Sequence, residues 1–75
     1  MDKIIEILKT LISDIDFAKE KHLVDNKILN SFNIIKLVYK LNEVYDIEIS
    51  PMQLMPENFN SAEAIYSLVQ RLVEE

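Results

Sequence analysis

Residues 29–41 read LNSFNIIKLVYKL, and this stretch decides the fold. Asn30 has a side-chain oxygen that can accept a hydrogen bond from the first turn of a helix. Apolar residues then recur at the three- and four-residue spacing of one helix face. We therefore predict a helix from Ser31 to Tyr45, with Asn30 as its N-cap and Ser31 exposed at its start.

This predicted helix is apolar over more than one face. The row expected to face the core contains Ile34, Leu37, Val38, Leu41, Val44 and Tyr45. A second row, offset from the first, contains Phe32, Ile35 and Tyr39. Because a small bundle buries one side of a helix, the second row is either covered by a loop or left to meet partners.

The segment before Asn30 contains another helix and a loop. Apolar residues from Ile4 to Ile15 follow the helical period, which predicts a first helix over residues 2–15 with Asp2 as its N-cap. Residues 16–29 have no clean period and are predicted to form a long loop. Five apolar residues are expected to anchor this loop on the bundle: Phe17, Leu23, Val24, Ile28 and Leu29.

After Tyr45 the chain is predicted to turn, with Ile47 and Ile49 pointing inward. The Ser50-Pro51 pair is typical of the N-cap and first residue of a helix. A short helix is therefore predicted from this pair to Met55, where Pro56 breaks it.

The last helix is predicted over residues 61–73. Asn60 is its expected N-cap, Glu63 its capping-box acid, and Phe59 an anchor just before it. Its buried stripe is expected to contain Ala62, Ile65, Leu68, Val69, Leu72 and Val73. The whole pattern predicts an all-α fold: one domain over residues 1–75, an antiparallel bundle of three long helices plus one short helix, with a long loop between helices 1 and 2.

The composition limits the kind of protein this can be. The 75 residues have a net charge of -5, which argues against nucleic acid as a partner. The absence of cysteine excludes disulfides and fits a reducing cytosol. No apolar run approaches the roughly 18 residues that a membrane span needs, and no secretion signal is recognisable. We expect a cytoplasmic monomer.

Glycine is absent from the sequence. Backbone positions with positive φ must therefore fall to residues that tolerate the left-handed region, which are chiefly Asn and Asp. The candidates are Asn26, Asp46 and Asn58.

A search for catalytic or metal-binding groups leaves one candidate residue. His22, the only histidine, lies in the predicted loop without a serine elbow or oxyanion glycines, so we interpret it as solvent-facing. Asp14 and Asp16 are interpreted as solvated loop acids, and no metal-ligand pattern is present. Ser31 is either an ordinary serine near a helix start or the attachment point of a prosthetic arm. The long loop and the surplus apolar row favour the second interpretation.

The residues around Ser31 resemble the acyl and peptidyl carrier protein family. The family's attachment motif is Asp-Ser-Leu at the start of its second helix, and it takes the form Asn30-Ser31-Phe32 here. The resemblance also covers Leu23-Val24-Asp25, Ile28-Leu29, Leu37-Val38, Leu41 and residues 44–49. Residues 56–61, followed by Ala64-Ile65, resemble stand-alone carriers of the D-alanyl or aminoacyl kind.

The resemblance implies that Ser31 carries 4′-phosphopantetheine, transferred from coenzyme A by a phosphopantetheinyl transferase. The arm would hold an acyl or aminoacyl group as a thioester for adenylating ligases, acyltransferases or synthases, and the protein itself would not be an enzyme. By the same resemblance, partner recognition falls on exposed residues around the serine: Asn30, Phe32, Asn33, Ile35, Lys36 and Tyr39.

Three features depart from the family pattern. Asn30 replaces the usual acid, and Lys27 lies where relatives often have glycine. Two lysines and one glutamate give residues 30–45 a net charge of +1, whereas fatty-acid carriers have an acidic second helix. Docking on basic patches of a fatty-acid synthase should therefore be weak, which favours a specialised pathway. The alternative is an unmodified carrier-like docking module.

Overall fold

The structure is a computed structural model that describes residues 2–74, and its regular elements are all helical. The elements are α1 (Asp2–Leu11), α2 (Ser31–Tyr45), a 3₁₀ turn (Pro51–Gln53), α3 (Pro56–Phe59) and α4 (Ala62–Glu74). Over these described residues no strand forms, which confirms the prediction of an all-α fold. Asp2, the predicted N-cap of the first helix, is already part of α1.

The core lies where α1, α2 and α4 meet. α1 contacts both α2 and α4, α2 also contacts α4, and α3 packs against α4. In the described part of the chain every buried side chain is apolar; the fully buried ones include Ile4, Leu8, Leu37, Leu41, Ile65 and Val69. Burial of one side chain of this size stabilises the fold by about 1.5–3 kcal/mol, so these positions dominate the folding free energy.

α1 is shorter than the sequence predicted. It ends at Leu11 rather than Ile15. Beyond it, the Ile15 N–H donates to the Ser13 carbonyl at 2.8 Å, and the Asp16 carboxylate accepts from a backbone N–H two residues later. Short polar side chains stabilise such local turns in competition with a helix. Ile12 and Ile15 still pack against the core, so the apolar period continues after the helix has ended.

The start of α4 corrects two predicted roles. The N-cap is Ser61, whose Oγ accepts a hydrogen bond from the Ala64 N–H at 3.0 Å. Glu63 is not at the capping-box position and instead forms an exposed ion pair with Lys21 at 3.2 Å. Asn60, the predicted cap, follows the end of α3 and binds the long loop.

The segment between α2 and α3 contains the predicted short helix, with Ser50 as its N-cap and Pro51 as its first residue, but it is a 3₁₀ helix that ends at Gln53 rather than at Met55. Gln53 Oε1 accepts hydrogen bonds from the Ser50 N–H at 2.9 Å and the Ser50 hydroxyl at 3.2 Å. Pro56 is the first residue of α3, a position that suits a residue without an N–H. Ile49 is buried and Ile47 partly buried, as predicted.

Two of the described residues have positive φ. Asp46, one of the predicted candidates, has φ 54° and ends α2, where its N–H donates to the Asn42 carbonyl. Lys27 has φ 60° and was not predicted, whereas Asn26 and Asn58 have ordinary φ. The left-handed conformation costs a residue with a Cβ about 1–2 kcal/mol, so other contacts must hold Lys27 there.

Candidate functional site

α2 begins as the sequence predicted, with Asn30 as its N-cap and Ser31 as its first residue. Asn30 Oδ1 accepts from the Asn33 N–H at 2.9 Å, and the Asn30 carbonyl accepts from the Ile34 N–H at 3.0 Å. The first N–H groups of a helix have no partner within it, and the cap leaves those of Ser31 and Phe32 free. Two donors and the positive end of the helix dipole therefore lie beside Ser31.

The Ser31 side chain is exposed at this helix start. The first turn of α2 contains no acid, whereas those of α1, α3 and α4 contain Asp2, Glu57 and Glu63. Within residues 2–74 the Ser31 hydroxyl has no hydrogen bond to a carboxylate or to His22, which is itself exposed. The hydroxyl is therefore exposed to solvent, and none of the described residues is hydrogen-bonded to it as a base.

The loop that leads to Ser31 is closed on itself. The Leu29 N–H donates to the Leu23 carbonyl at 2.8 Å, and the Lys27 N–H donates to the Val24 carbonyl at 3.0 Å. Phe17, Leu23 and Leu29 are buried, which confirms their predicted role as anchors. Backbone hydrogen bonds join residues 23–29, and the apolar residues of the loop are packed. The loop therefore fixes the direction from which the chain enters α2.

Asn60 joins this loop to the C-terminal half of the protein. Its Oδ1 accepts from the N–H groups of Val24 at 3.0 Å and Asp25 at 3.1 Å, and its Nδ2 donates to the Asp25 carboxylate at 3.2 Å. Its carbonyl also accepts from the Leu23 N–H at 2.8 Å. An asparagine side chain can cap a helix or accept hydrogen bonds from a distant loop. The sequence does not distinguish these roles, because the loop residue Asp25 lies 35 positions before Asn60.

The second apolar row of α2 is open to solvent. Phe32, Ile35 and Tyr39 are 64%, 65% and 70% exposed, so no loop covers them. Lys36 Nζ lies 4.4 Å from the centroid of the Phe32 ring, within the range of a cation–π contact. This contact places the Phe32 ring on the surface of α2, at the residue directly after Ser31.

A groove lies between the end of α1 and the exposed row of α2. It has a volume of about 320 Å³ and is lined by Leu11, Ile35, Lys36, Tyr39 and Lys40. Its walls are almost entirely apolar, because long basic side chains can line such a surface with their methylene stems. Sequence analysis did not predict Leu11 and Lys40 as site residues, because only helix packing brings them beside the row.

The far end of α2 differs from its predicted burial. Val44, assigned to the core, is 41% exposed, whereas Tyr45 is half-buried against the core. Burial raises the pKa of Tyr45 above its ordinary value of 10.0, and the neighbouring Tyr66 raises it further. Lys3 Nζ lies 6.0 Å from the centroid of the Tyr45 ring. This end of α2 is a packing region that lies away from Ser31.

Residues 2–74 contain neither a metal-binding cluster nor a membrane-spanning helix. No cluster of three or more His, Cys, Asp or Glu side chains is arranged to hold a metal ion there. None of the described helices combines the length and apolarity needed to cross a membrane. Ser31 and its surroundings therefore remain the candidate site.

Comparison with known proteins supports a carrier-protein family. No family model matches the chain, and no solved structure matches it significantly. Two curated relatives are the D-alanyl carrier proteins of Lactococcus lactis subsp. cremoris strains MG1363 and SK11. Each is 28% identical over 76 residues, an alignment that covers 99% of this chain and 96% of the relative. The similarity therefore extends over essentially the whole of each chain.

Proposed function

We propose that this protein is an acyl or aminoacyl carrier whose Ser31 is the attachment site of a 4′-phosphopantetheine arm. One observation carries the proposal: an exposed serine opens a helix whose neighbouring apolar row is left in solvent. In this proposal the three longer helices form an antiparallel bundle that presents the serine, and the protein has no catalytic site of its own.

The residues around Ser31 fit such a group. A phosphodiester on the Ser31 oxygen would lie beside the free N–H groups of Ser31 and Phe32 and the positive end of the α2 dipole. No acid in the first turn of α2 would repel it. When attached, the arm supplies a terminal thiol that holds the cargo as a thioester.

Ser31 Oγ would be the nucleophile in this modification. A new P–O bond forms between Oγ and the phosphorus next to pantetheine in coenzyme A, the diphosphate bond breaks, and adenosine 3′,5′-bisphosphate leaves. The hydroxyl proton must pass to a base of the phosphopantetheinyl transferase, because no described residue is hydrogen-bonded to Oγ as a base. This chain contributes an accessible hydroxyl on a fixed helix start.

The charged form would then be used by partner enzymes, which we propose to be an adenylating ligase together with acyltransferases or synthases. These partners would contact the residues around the serine, which are the exposed Asn30, Phe32, Ile35, Lys36 and Tyr39 and the half-buried Asn33. The basic character of α2 and the name of the two relatives favour an aminoacyl cargo, with D-alanine as the first to test. We place this activity in the cytoplasm, with the protein acting as a monomer.

Intact mass spectrometry tests the proposal directly. The protein is incubated with coenzyme A and a broad-specificity phosphopantetheinyl transferase, and a gain of one phosphopantetheine is expected. Ser31→Ala should gain nothing, whereas Ser67→Ala, which removes an exposed serine from α4, should gain one group. Absence of any gain with several transferases would contradict the proposal.

Asn30 favours a second candidate function, that of an unmodified docking module with the same fold. Its amide caps α2 as a carboxylate would, but it is neutral and cannot attract a basic residue of the transferase. In this alternative the exposed row of α2 still binds partners, while Ser31 is only the first residue of the helix. The same mass measurement separates the two candidates, because only a carrier gains the group.

A further inference from the structure

The exposed face of α2 is basic, although the protein as a whole is acidic. Residues 31–42 contain Lys36 and Lys40 and no acid, while the whole chain has a net charge of -5. Both lysines are exposed, and within residues 2–74 neither forms an ion pair. The positive charge of this face is therefore available to a partner.

The two lysines line the α2 side of the groove between α1 and α2, together with Ile35 and Tyr39, and Leu11 lines the α1 side. Leu11 is half-buried and belongs to a different helix, so the groove exists only when the bundle is folded. An apolar groove with two cations along one side suits an occupant that has an apolar centre and negative groups beside it.

The groove lies on the same side of α2 as Ser31. Residues 31, 35 and 39 are four positions apart, a spacing that places them on one face of a helix. At a rise of 1.5 Å per residue, Ile35 and Tyr39 lie about 6 and 12 Å along the helix from Ser31. An enzyme bound in the groove would place its active site close to the group attached to Ser31.

We infer that this groove docks a protein partner that inserts an apolar side chain and places carboxylates beside Lys36 and Lys40. The inference rests on the proposed function, since the partner would be an enzyme that charges or unloads the carrier. The inserted side chain contributes most of the affinity. The exposed ion pairs add little affinity, but they select an acidic partner and accelerate its association.

The charges of this molecule favour a protein partner over an anionic membrane surface. Recruitment to anionic lipids by charge typically uses clusters of about four to eight Lys or Arg residues. The basic face of α2 contains two, and the net charge of -5 repels a negative surface over longer distances.

Two matched peptides test the inference. Both are synthetic amphipathic helices with the same leucine face, flanked by glutamates in one and by lysines in the other. NMR titration of the full-length, unmodified protein should show that the acidic peptide shifts the amide signals of Leu11, Ile35 and Tyr39. We expect it to bind about fivefold more tightly than the basic peptide, the effect of two exposed ion pairs, and this preference should shrink at high salt.

Charge variants sharpen the test. Lys40→Glu should abolish the preference, and the double change Lys36→Glu with Lys40→Glu should reverse it. Lys9→Glu, which changes an exposed lysine of α1 outside the groove, should keep it. Circular dichroism of each variant checks that the bundle is still folded.

Three results would overturn the inference: equal binding of the two peptides, signal shifts confined to other surfaces, or tighter binding to phosphatidylglycerol vesicles than to the acidic peptide. Because the titrations use unmodified protein, these results leave the modification of Ser31 untested. Conversely, failure of Ser31 to be modified would refute the carrier function without changing the peptide preference.

Discussion

α2 and α4 are helices of similar length that use their apolar residues differently. α4 buries four residues, which are Ala62, Ile65, Leu68 and Val69. α2 is longer but buries only Leu37 and Leu41, and it leaves the row Phe32, Ile35 and Tyr39 in solvent. Packing within the bundle therefore explains the predicted stripe of α4 except for Val73, which was assigned to it and is 49% exposed, but it does not explain the exposed row of α2.

The largest expected effect comes from matched isoleucines in the two helices. Ile65 is fully buried in α4, and Ile35 is 65% exposed in α2. Ile65→Ala should lower the free energy of unfolding by about 3 kcal/mol, because it removes buried methyl groups and leaves a cavity. Ile35→Ala should change it by less than about 0.5 kcal/mol. Urea unfolding followed by circular dichroism measures both, and similar losses would show that α2 is packed like α4.

The next effect concerns the hydrogen bonds between the loop before α2 and Asn60, which follows the end of α3. Asn60→Ala leaves the N–H groups of Val24 and Asp25 without their acceptor, which should cost about 1–3 kcal/mol. Hydrogen exchange should accelerate at these two amides more than in α4. Asn26→Ala, a change to an exposed side chain in the same loop, is the control. Unchanged exchange at Val24 and Asp25 would mean that the loop does not depend on Asn60.

A smaller effect is expected at the cap of α2. Asn30→Ala removes the acceptor for the Asn33 N–H and should destabilise the protein by about 1 kcal/mol. Asn30→Asp keeps an acceptor in the same place and should leave stability nearly unchanged. It restores the acid that carriers usually have before the serine, so the transferase should modify Ser31 faster. Equal modification rates for Asn30→Asp and the unsubstituted protein would show that the transferase does not recognise a negative charge at position 30.

The smallest effect concerns Tyr45, where α2 is packed like α4. Its pKa is raised in the folded protein, chiefly by burial, so the unfolded chain releases this proton at lower pH. The contribution of Tyr45 to stability is complete below about pH 10 and is lost as the pH rises from there through the folded-state pKa. Tyr45→Phe should therefore reduce the loss of stability between pH 9 and pH 11. An equal loss in Tyr45→Phe and in the unsubstituted protein would contradict this account.

The bounds and cap of α2 were predictable because two independent local signals agree. Asn30 provides the cap, and the apolar period starts directly after it. The second apolar row was predictable as surplus to the core for a related reason: a helix with two apolar rows has more apolar surface than one side of a small bundle buries, although the sequence left open whether a loop covers the row. Neither prediction depends on the position of a distant residue.

The end of α1 and the role of Asn60 were not predictable, because they depend on tertiary contacts. Ile12 and Ile15 pack on the core from a turn as well as they would from a helix, so the period overstates the length of α1. Asn60 could cap α4, but its side chain binds Val24 and Asp25 across the fold.

Two single-residue errors have geometric causes. Lys27 adopts positive φ where the loop closes between Leu23 and Leu29, and composition alone favoured the neighbouring Asn26. The glycine that relatives often have at this position was the available signal. Val44 and Tyr45 follow Leu41 by three and four positions, and both were assigned to the core. Val44 is exposed, so the stripe that faces the core continues from Leu41 to Tyr45 and not to Val44.

The hydrogen bonds between Asn60 and the loop before α2 also set an order of events during protein synthesis. Residues 23–25 leave the ribosome before the asparagine that fastens them, which follows Asp25 by 35 residues. At translation rates of about 5–20 residues per second this delay is about 2–7 s. During that time the loop before Ser31 lacks its hydrogen bonds to Asn60, so the serine reaches its final setting only after residue 60 has left the ribosome. A transferase that recognises the finished bundle would therefore act no earlier than that point.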